Sequence, residues 1–253
     1  MFEARLTDGS ILKDIVHATK DLVNHVNLDV SSTGLSMQAM DMSHVSVCTL
    51  LLKSERFEYY RCDRPMSLGV SLHALATILK GVHRDTLTMK AESDTLHLVL
   101  ERDESVSVFE LQLMDVDIEH MHIPEMVYAC TVELPARDFA KICGDLSVFG
   151  ETCTIVVKNG IQFSVQGDIG TARVTCRTQC MQGSVCLEFS MRYLLLFCKA
   201  APLSSTVTLS LSPEKPLMVY WGIEDGYVKN YLSPIVDVEP VEPVEPVEPV
   251  EPV

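Results

Sequence analysis

The stretch LMDVDIEHMHIPE, residues 113–125, separates two halves of the chain that resemble each other. Apolar and polar residues alternate from Met114 to Glu119, as they do in a strand with one buried face. Pro124 has no amide hydrogen and is therefore excluded from a central strand. We expect the start of this stretch to complete the last strand of the first half, and the remainder to cross to the second half as an exposed connector.

The two halves carry the same order of elements. Each begins with a short alternating strand, FEARL or ACTVEL, followed by an amphipathic helix and by strands around a glycine turn at Gly34 or Gly160. A second helix then leads into another strand, and Lys80 aligns with Lys199. Such self-similarity indicates two copies of one supersecondary unit. The predicted fold class is α+β, with two similar domains that each pack two helices on antiparallel sheets.

These patterns divide the chain into four parts. The predicted domains are residues 1–112 and 129–237, joined by a connector at 113–128 and followed by a tail at 238–253. The tail repeats Val-Glu-Pro, and a proline at every third position excludes helix and favours polyproline II. We expect a disordered, solvated tail; the other interpretation is a docking segment.

Composition predicts a globular intracellular protein. The chain has 253 residues, 47% of them hydrophobic, which is enough for a substantial core. No apolar run is long enough to span a membrane, and the first residues lack the apolar core of a signal peptide. Nine cysteines occur without a Cys-x-x-Cys motif, which favours reduced, mostly buried thiols.

Enzyme motifs are absent from the sequence. It contains no GxxxxGK[ST], GxGxxG, HExxH or GxSxG pattern. His120 and His122 could share a metal ion, but no third ligand is evident, and we interpret them as solvent-facing connector residues. The sequence therefore predicts no catalytic residue, no metal and no cofactor.

Charge is unevenly distributed along the chain. The formal net charge is −15, which by itself argues against nucleic acid as a partner. The four predicted helical segments, residues 10–24, 73–84, 136–149 and 191–200, hold eight Lys/Arg and four Asp residues, a formal +4. The rest of the chain holds 12 basic and 31 acidic residues, or −19.

Helical periodicity gives each of these segments an apolar face and a polar face. The expected apolar stripes are Ile11, Ile15, Ala18 and Leu22; Leu72, Leu75, Leu79 and Val82; and Phe139, Ile142, Cys143 and Leu146. If all four helices cover one side of the sheets, that side is basic. A basic side without interleaved aromatic residues suits the phosphate backbone of duplex DNA better than stacked single strands. Contacts to phosphates alone recognise no base sequence. The alternative is that Lys and Arg are simply good helix formers on solvated faces.

Four runs of sequence carry a family resemblance. They are QAMDMSHVSVCTL from Gln38, YRCDR from Tyr60, LMDVDIEHMHIPE, and KAAPLSSTVTLSLSPEKPL from Lys199. The chain resembles the eukaryotic sliding clamp, the proliferating cell nuclear antigen family, from about Met1 to Pro234. The resemblance implies a nuclear processivity factor for DNA polymerases, a homotrimeric ring of six similar domains whose helices line a hole around duplex DNA. Implied partners are DNA polymerases, the clamp loader, nucleases, ligases and other proteins with short clamp-binding peptides.

The resemblance also assigns residues to the hole and to the ring junction. The implied DNA-facing residues are Lys13, Lys20, Lys80, Arg84, Lys141, Arg192 and Lys199. Asp14, Thr77 and Gly144 stand where many family members have a base, so we expect a less positive channel. Strands containing Phe109 and Leu111 in one subunit, and Arg173 and Thr175 in the next, should pair at the trimer interface.

A pocket for a partner peptide with a helical turn and aromatic anchors is implied beside the connector. Its residues would be Met40, His44, Val45, Val47, Met121, Ile123, Pro124, Pro216, Tyr231, Ser233, Pro234 and Ile235. Judged without the resemblance, Met40 and His44 would be ordinary core residues. Lys158 matches the family's ubiquitin-accepting lysine; the alternative is an ordinary surface lysine in a Lys-Asn-Gly turn. A second functional class remains open, a clamp-like checkpoint subunit or scaffold that assembles as a heterotrimer.

Overall fold

The computed structural model describes residues 1–117, 123–158, 160–177 and 184–235. None of its helices in these ranges is long and apolar enough to cross a membrane. The first half contains β1 (Phe2–Leu6), α1 (Ser10–Thr19), β2 (His25–Ser31), β3 (Gly34–Met40), β4 (Ser46–Lys53), β5 (Tyr59–Cys62), β6 (Met66–Ser71), α2 (Leu72–Leu79), β7 (Thr86–Glu92), β8 (Thr95–Arg102) and β9 (Ser105–Gln112). The second half contains β10 (Cys130–Pro135), α3 (Ala136–Leu146), β11 (Thr152–Val157), β12 (Ile161–Gly167), β13 (Gly170–Cys176), β14 (Val185–Ser190), α4 (Met191–Phe197), β15 (Thr206–Leu211), β16 (Leu217–Ile223) and β17 (Gly226–Leu232).

The strands form three antiparallel sheets. A five-stranded sheet has the order β5-β1-β7-β8-β9, and a four-stranded sheet has the order β13-β12-β11-β14. The eight-stranded sheet, β10-β15-β16-β17-β4-β3-β2-β6, takes four strands from each half. It is continuous because β17 pairs with β4 along residues 226–232 and 46–52.

The predicted internal repeat is confirmed by this topology. Apart from β5, the order β1-β7-β8-β9 reproduces β10-β15-β16-β17, and β4-β3-β2-β6 reproduces β13-β12-β11-β14. Gly34 and Gly160 both adopt φ +137°, and a Cβ atom there would lie 2.1 Å from the Leu52 carbonyl oxygen or 2.6 Å from that of Cys176. Only glycine tolerates both the backbone conformation and the close approach.

The helices are shorter than periodicity predicts. The first was expected to reach residue 24, but α1 ends at Thr19. The amides of Leu22 and Val23 both donate to the Thr19 carbonyl, at 3.0 and 3.1 Å, and these bonds close a turn directly after the helix. The Asn24 carbonyl then accepts the amide of Leu72 at 2.7 Å, so this residue already belongs to the turn that starts β2. The other three predicted segments also extend past their helices.

Helix faces follow the sequence pattern with one exception. The predicted apolar stripes of α2 and α3 are buried throughout. In α1, Leu12 and Val16 are buried whereas Ile11 is only half-buried, so the core-facing side is rotated relative to the predicted stripe.

The start of the connector differs from expectation. Strand β9 ends at Gln112, and the next residues cross to β6 instead of extending β9. The Met114 amide donates to the Gly69 carbonyl at 2.9 Å, and the Asn27 side-chain amide donates to the Val116 carbonyl at 2.9 Å. The connector thereby covers the β6 edge of the eight-stranded sheet.

Candidate functional site

The four helices form one layer, which we call the helical face. Helix α1 packs against α2, α4 and the 3-10 helix Cys198–Leu203, and α3 packs against α4 and the same 3-10 helix. Helices from the two halves are therefore neighbours, with the sheets on their other side. The condition set by the sequence argument, that all four helices cover one side of the sheets, is met within the subunit.

Six of the seven predicted basic residues lie on the helices of this face or directly after them, whereas Arg84 lies in the loop between α2 and β7, near Glu101 and Asp103. Lys80, Arg84, Lys141, Arg192 and Lys199 are exposed, and Lys13 and Lys20 are half-buried. The Lys13 ammonium donates to the Val82 carbonyl at 2.6 Å. Among the positions where a base was expected, Asp14 and Thr77 are exposed. A Cβ atom added at Gly144 would meet no atom of the described residues within 4 Å.

Asp21 pairs with two of the basic residues at the junction between the halves. Its carboxylate accepts from the Lys20 ammonium at 2.9 Å and from the Lys199 ammonium at 2.5 Å. These hydrogen bonds, first that of Lys199 and then that of Lys20, lower the pKa of Asp21 to about 2. His73 Nε2 lies 3.9 Å from the same carboxylate. A phosphate binding Lys20 or Lys199 must therefore compete with Asp21.

The opposite surface of the eight-stranded sheet carries part of the predicted pocket. Met40 pairs with Val47, Val47 with Tyr231, and Tyr231 with Met218, so these four residues form one row across β3, β4, β17 and β16. All four are half-buried on the sheet surface away from the core. Sequence reasoning missed Met218, although its spacing of two from Pro216 in a strand was a usable signal.

The remaining predicted pocket residues frame this row. Val45 and Pro216 are half-buried, as is Pro234, whereas His44, Ser233 and Ile235 are exposed. The Ser233 amide donates to the Val45 carbonyl at 2.9 Å, and the Ile235 amide donates to the Glu188 carbonyl at 2.8 Å. The C-terminal segment is thus fixed beside the loop that carries His44.

A groove of about 960 Å³ continues from this row beneath the connector. Ile123, Pro124 and Tyr231 line it, as do Lys229 and Tyr227, which sequence reasoning missed. Lys229 Nζ lies 4.1 Å from the centre of the Tyr227 ring. Burial lowers the pKa of Lys229, against the opposing effect of Glu125. Lys229 shares a face with Tyr231 two residues away, so strand alternation could have identified it.

Some predicted residues lie outside the described ranges. Met121, His120 and His122 are among them, as is the Val-Glu-Pro tail. Within the described ranges, no group of three His, Cys, Asp or Glu side chains could hold a metal ion. The eight cysteines in those ranges are free thiols.

The predicted junction residues lie on two edge strands. Strand β9 ends the five-stranded sheet and β13 ends the four-stranded sheet. Phe109 and Leu111 are half-buried on β9, while Arg173 and Thr175 are exposed on β13. Val108, on the other face of β9, is 60% exposed. An exposed apolar edge strand is a template for pairing with another chain.

Two family models match the sequence. The model of the N-terminal domain of proliferating cell nuclear antigen matches residues 1–122, and the model of the C-terminal domain matches residues 122–236. Together they extend over both copies of the repeat and over the connector. The fold has the corresponding two domains, with four helices packed against antiparallel sheets. The chain therefore belongs to the proliferating cell nuclear antigen family of sliding clamps, which are non-enzymatic scaffolds acting on DNA.

Proposed function

We propose that the chain is a DNA polymerase processivity factor of the nucleus. Three copies form a homotrimeric ring that encircles duplex DNA without reading its sequence. The ring recruits polymerases, the clamp loader, nucleases, ligases and other proteins through the peptide pocket. We keep residues 113–128 as the connector between domains 1–112 and 129–237; the two family models meet at residue 122, inside it.

One observation carries the ring assignment: the chain already contains one copy of the junction. Strand β17 pairs with β4 inside the subunit. Their repeat equivalents are β9 and β13, which are edge strands of two separate sheets. Pairing β9 of one subunit with β13 of the next therefore repeats an interaction that this sequence already makes. A head-to-tail contact of this kind closes into a ring when the rotation fits.

The repeat also sets the register of the proposed junction. Ser105 and Gly226 are equivalent because each begins its strand and pairs with the last residue of the preceding strand. Ser105 pairs with Arg102, and Gly226 pairs with Ile223. Transferring the internal pairs of β4 and β17 to the junction places Val108 opposite Arg173 of the partner subunit. Phe109 then faces Ala172 of the partner subunit on the side of the helices.

The basic helical face supports DNA as the content of the ring. Lys13, Lys20, Lys80, Arg84, Lys141, Arg192 and Lys199 are the proposed phosphate contacts. Because phosphate contacts carry no sequence information, binding is non-specific and sensitive to salt. Lys158, exposed in the turn between β11 and β12, is the proposed modification site.

Analytical ultracentrifugation tests the homotrimer. The wild-type chain is expected to sediment at three times its 28.1 kDa mass. Val108→Arg would place like charges opposite each other at all three junctions, each destabilised by up to about 1 kcal/mol, and should dissociate the trimer at low micromolar concentration. Val108→Glu, which faces Arg173 with the opposite charge, should remain trimeric.

The heterotrimeric alternative gives a different result. A checkpoint-type subunit would be a monomer on its own and would form a ring only with other chains. A wild-type monomer at micromolar concentration would therefore reject the homotrimer and favour that alternative. A matched control is Val127→Arg, since Val127 is 83% exposed in the connector and belongs to neither β9 nor β13.

A further inference from the structure

A buried acid joins the partner pocket to the helical face. Asp41 is 6% exposed and lies in the loop of residues 41–45, between β3 and β4, which we call the capped loop. Its Oδ1 accepts the amides of Val45 at 3.0 Å and Ser46 at 2.7 Å. Its Oδ2 accepts the amide of Ser43 at 2.9 Å and the hydroxyl of Tyr193, on α4, at 2.6 Å.

These four hydrogen bonds stabilise a loop whose backbone includes a rarely occupied conformation. His44 adopts φ +58°, a left-handed conformation that non-glycine residues rarely occupy. Its amide donates to the Asp41 carbonyl at 3.0 Å, and the Asp41 amide donates to the Ser46 carbonyl at 2.9 Å. Burial works to raise the pKa of Asp41, but the Tyr193 hydroxyl and the three amides hold it below its ordinary value.

Comparison of the two copies shows that the fold does not require this arrangement. The equivalent hairpin in the second half, between β12 and β13, closes with only Asp168 and Ile169 between paired Gly167 and Gly170. Ser71 and Ser190 precede α2 and α4 at equivalent positions, so the counterpart of Tyr193 is Ala74. The long loop and the tyrosine thus occur together, at the junction inside the subunit.

We propose that Tyr193 and Asp41 are a positioning pair for the partner pocket. The Tyr193 hydroxyl fixes the carboxylate, and the carboxylate fixes the amides on both sides of His44. The pair thereby holds Val45 where its carbonyl accepts Ser233 from the C-terminal wall. This inference rests on the proposed peptide pocket, and neither residue has to touch the peptide.

The test is the variant Tyr193→Phe, which removes the hydroxyl and keeps the buried ring. The probe is a fluorescein-labelled synthetic peptide with one helical turn, two adjacent phenylalanines and a lysine-rich flank. Loss of one hydrogen bond to a charged group predicts roughly tenfold weaker binding by fluorescence anisotropy. Amide hydrogen exchange at Val45 and Ser46 should accelerate, while the trimer mass stays unchanged.

A matched control separates positioning from general stability. The Tyr60 hydroxyl donates to the Ser31 carbonyl at 2.7 Å, away from the capped loop, so Tyr60→Phe also removes one tyrosine hydrogen bond. Equal peptide affinity in Tyr193→Phe and the wild type, or an equal loss in Tyr60→Phe, would overturn the positioning role. If the wild type fails to bind the probe, the proposed pocket is rejected. If amide exchange at Val45 is the same in Tyr193→Phe as in the wild type, the positioning pair is rejected as well.

Discussion

At the scale of single residues, Asp21 limits the charge that the proposed DNA surface can offer. It pairs with Lys20 from the first half and with Lys199 from the second. Because its pKa falls from 3.8 to about 2, the stabilisation from these contacts is complete above pH 3.8 and is lost as the pH falls through about 2. Around neutral pH the Asp21 carboxylate is therefore ionised and can pair with both ammonium groups.

The variant Asp21→Asn should bind duplex DNA more tightly than the wild type. It removes the competing carboxylate from Lys20 and Lys199, so phosphates gain access to both. A gain of one phosphate contact steepens the slope of log K against log salt by about 0.9. Anisotropy titrations of a labelled duplex at several salt concentrations measure this slope.

The control for this prediction is Asp145→Asn. Asp145 is exposed on α3 and makes no ion pair among the described residues, so its removal changes the net charge equally. An equal gain in both variants would mean that net charge, and not release of Lys20 and Lys199, sets the affinity.

At the scale of elements, sequence periodicity predicts faces better than ends. The stripes of α2 and α3 are correct because α2 packs against β6 and α3 packs against β10 and β15, and the apolar residues of both stripes are buried. The end of α1 was wrong because it depends on Asn24, whose carbonyl bonds Leu72 in a distant part of the chain. The pocket row was recognisable only by resemblance, since Met40, Val47 and Tyr231 meet through strand register that no local pattern encodes.

The proposed register of the ring junction predicts a specific cross-link. Residues directly opposite in an antiparallel pair have Cα atoms about 4.5 to 5.5 Å apart, within the range of a disulfide. Under mild oxidation, Val108→Cys with Arg173→Cys should give covalent dimers and trimers on a denaturing gel. Single variants provide the background from the native thiols.

A shifted pair tests whether the register itself is right. The repeat places Val106 opposite Thr175 of the partner subunit. Thr171 lies four residues from Thr175 on the same strand, about 13 Å away from the position opposite Val106. Val106→Cys with Thr171→Cys should therefore remain unlinked. Efficient linkage of this pair, with none for Val108 and Arg173, would reject the register derived from β4 and β17.

The pocket row predicts a second outcome at this scale. Met40→Ala combined with Ile123→Ala removes apolar contacts from the sheet row and from the connector. Because central apolar anchors each contribute more than about 1 kcal/mol, affinity for the phenylalanine-containing probe should fall at least about 30-fold by calorimetry. Met42→Ala is the control, since Met42 is 98% exposed in the adjacent loop; unchanged affinity in the double variant would place the pocket elsewhere.

At the scale of the whole molecule, the chain separates its charges. Its helical face is basic although its net charge is −15. In the proposed ring, the remaining acidic surface would repel polyanions while the helical face attracts them, which favours DNA inside the ring over DNA bound at its periphery. The pairing of Asp21 and the engagement of Lys13 reduce the available charge, so encirclement rather than affinity would keep the protein on DNA.

Combined reversal of Lys20, Lys80 and Lys199 to Glu should abolish processive DNA synthesis while the trimer remains intact. The three changes turn the proposed channel towards the same sign as DNA. Primer extension in a reconstituted polymerase reaction measures product length. The control reverses Lys53, Arg64 and Lys158, which are exposed outside the helices, and processivity equally lost in both variants would reject the channel assignment.

In the proposed ring, the ladder between β4 and β17 would also decide where the ring can open. Seven residue pairs join the two halves of each subunit into one sheet, and the helices on its inner side pack across the same seam. Separating the halves would expose the core of a single chain, whereas separating two chains would break only a junction of edge strands. A protein that loads the proposed ring onto closed circular DNA would therefore separate neighbouring subunits and leave each subunit intact.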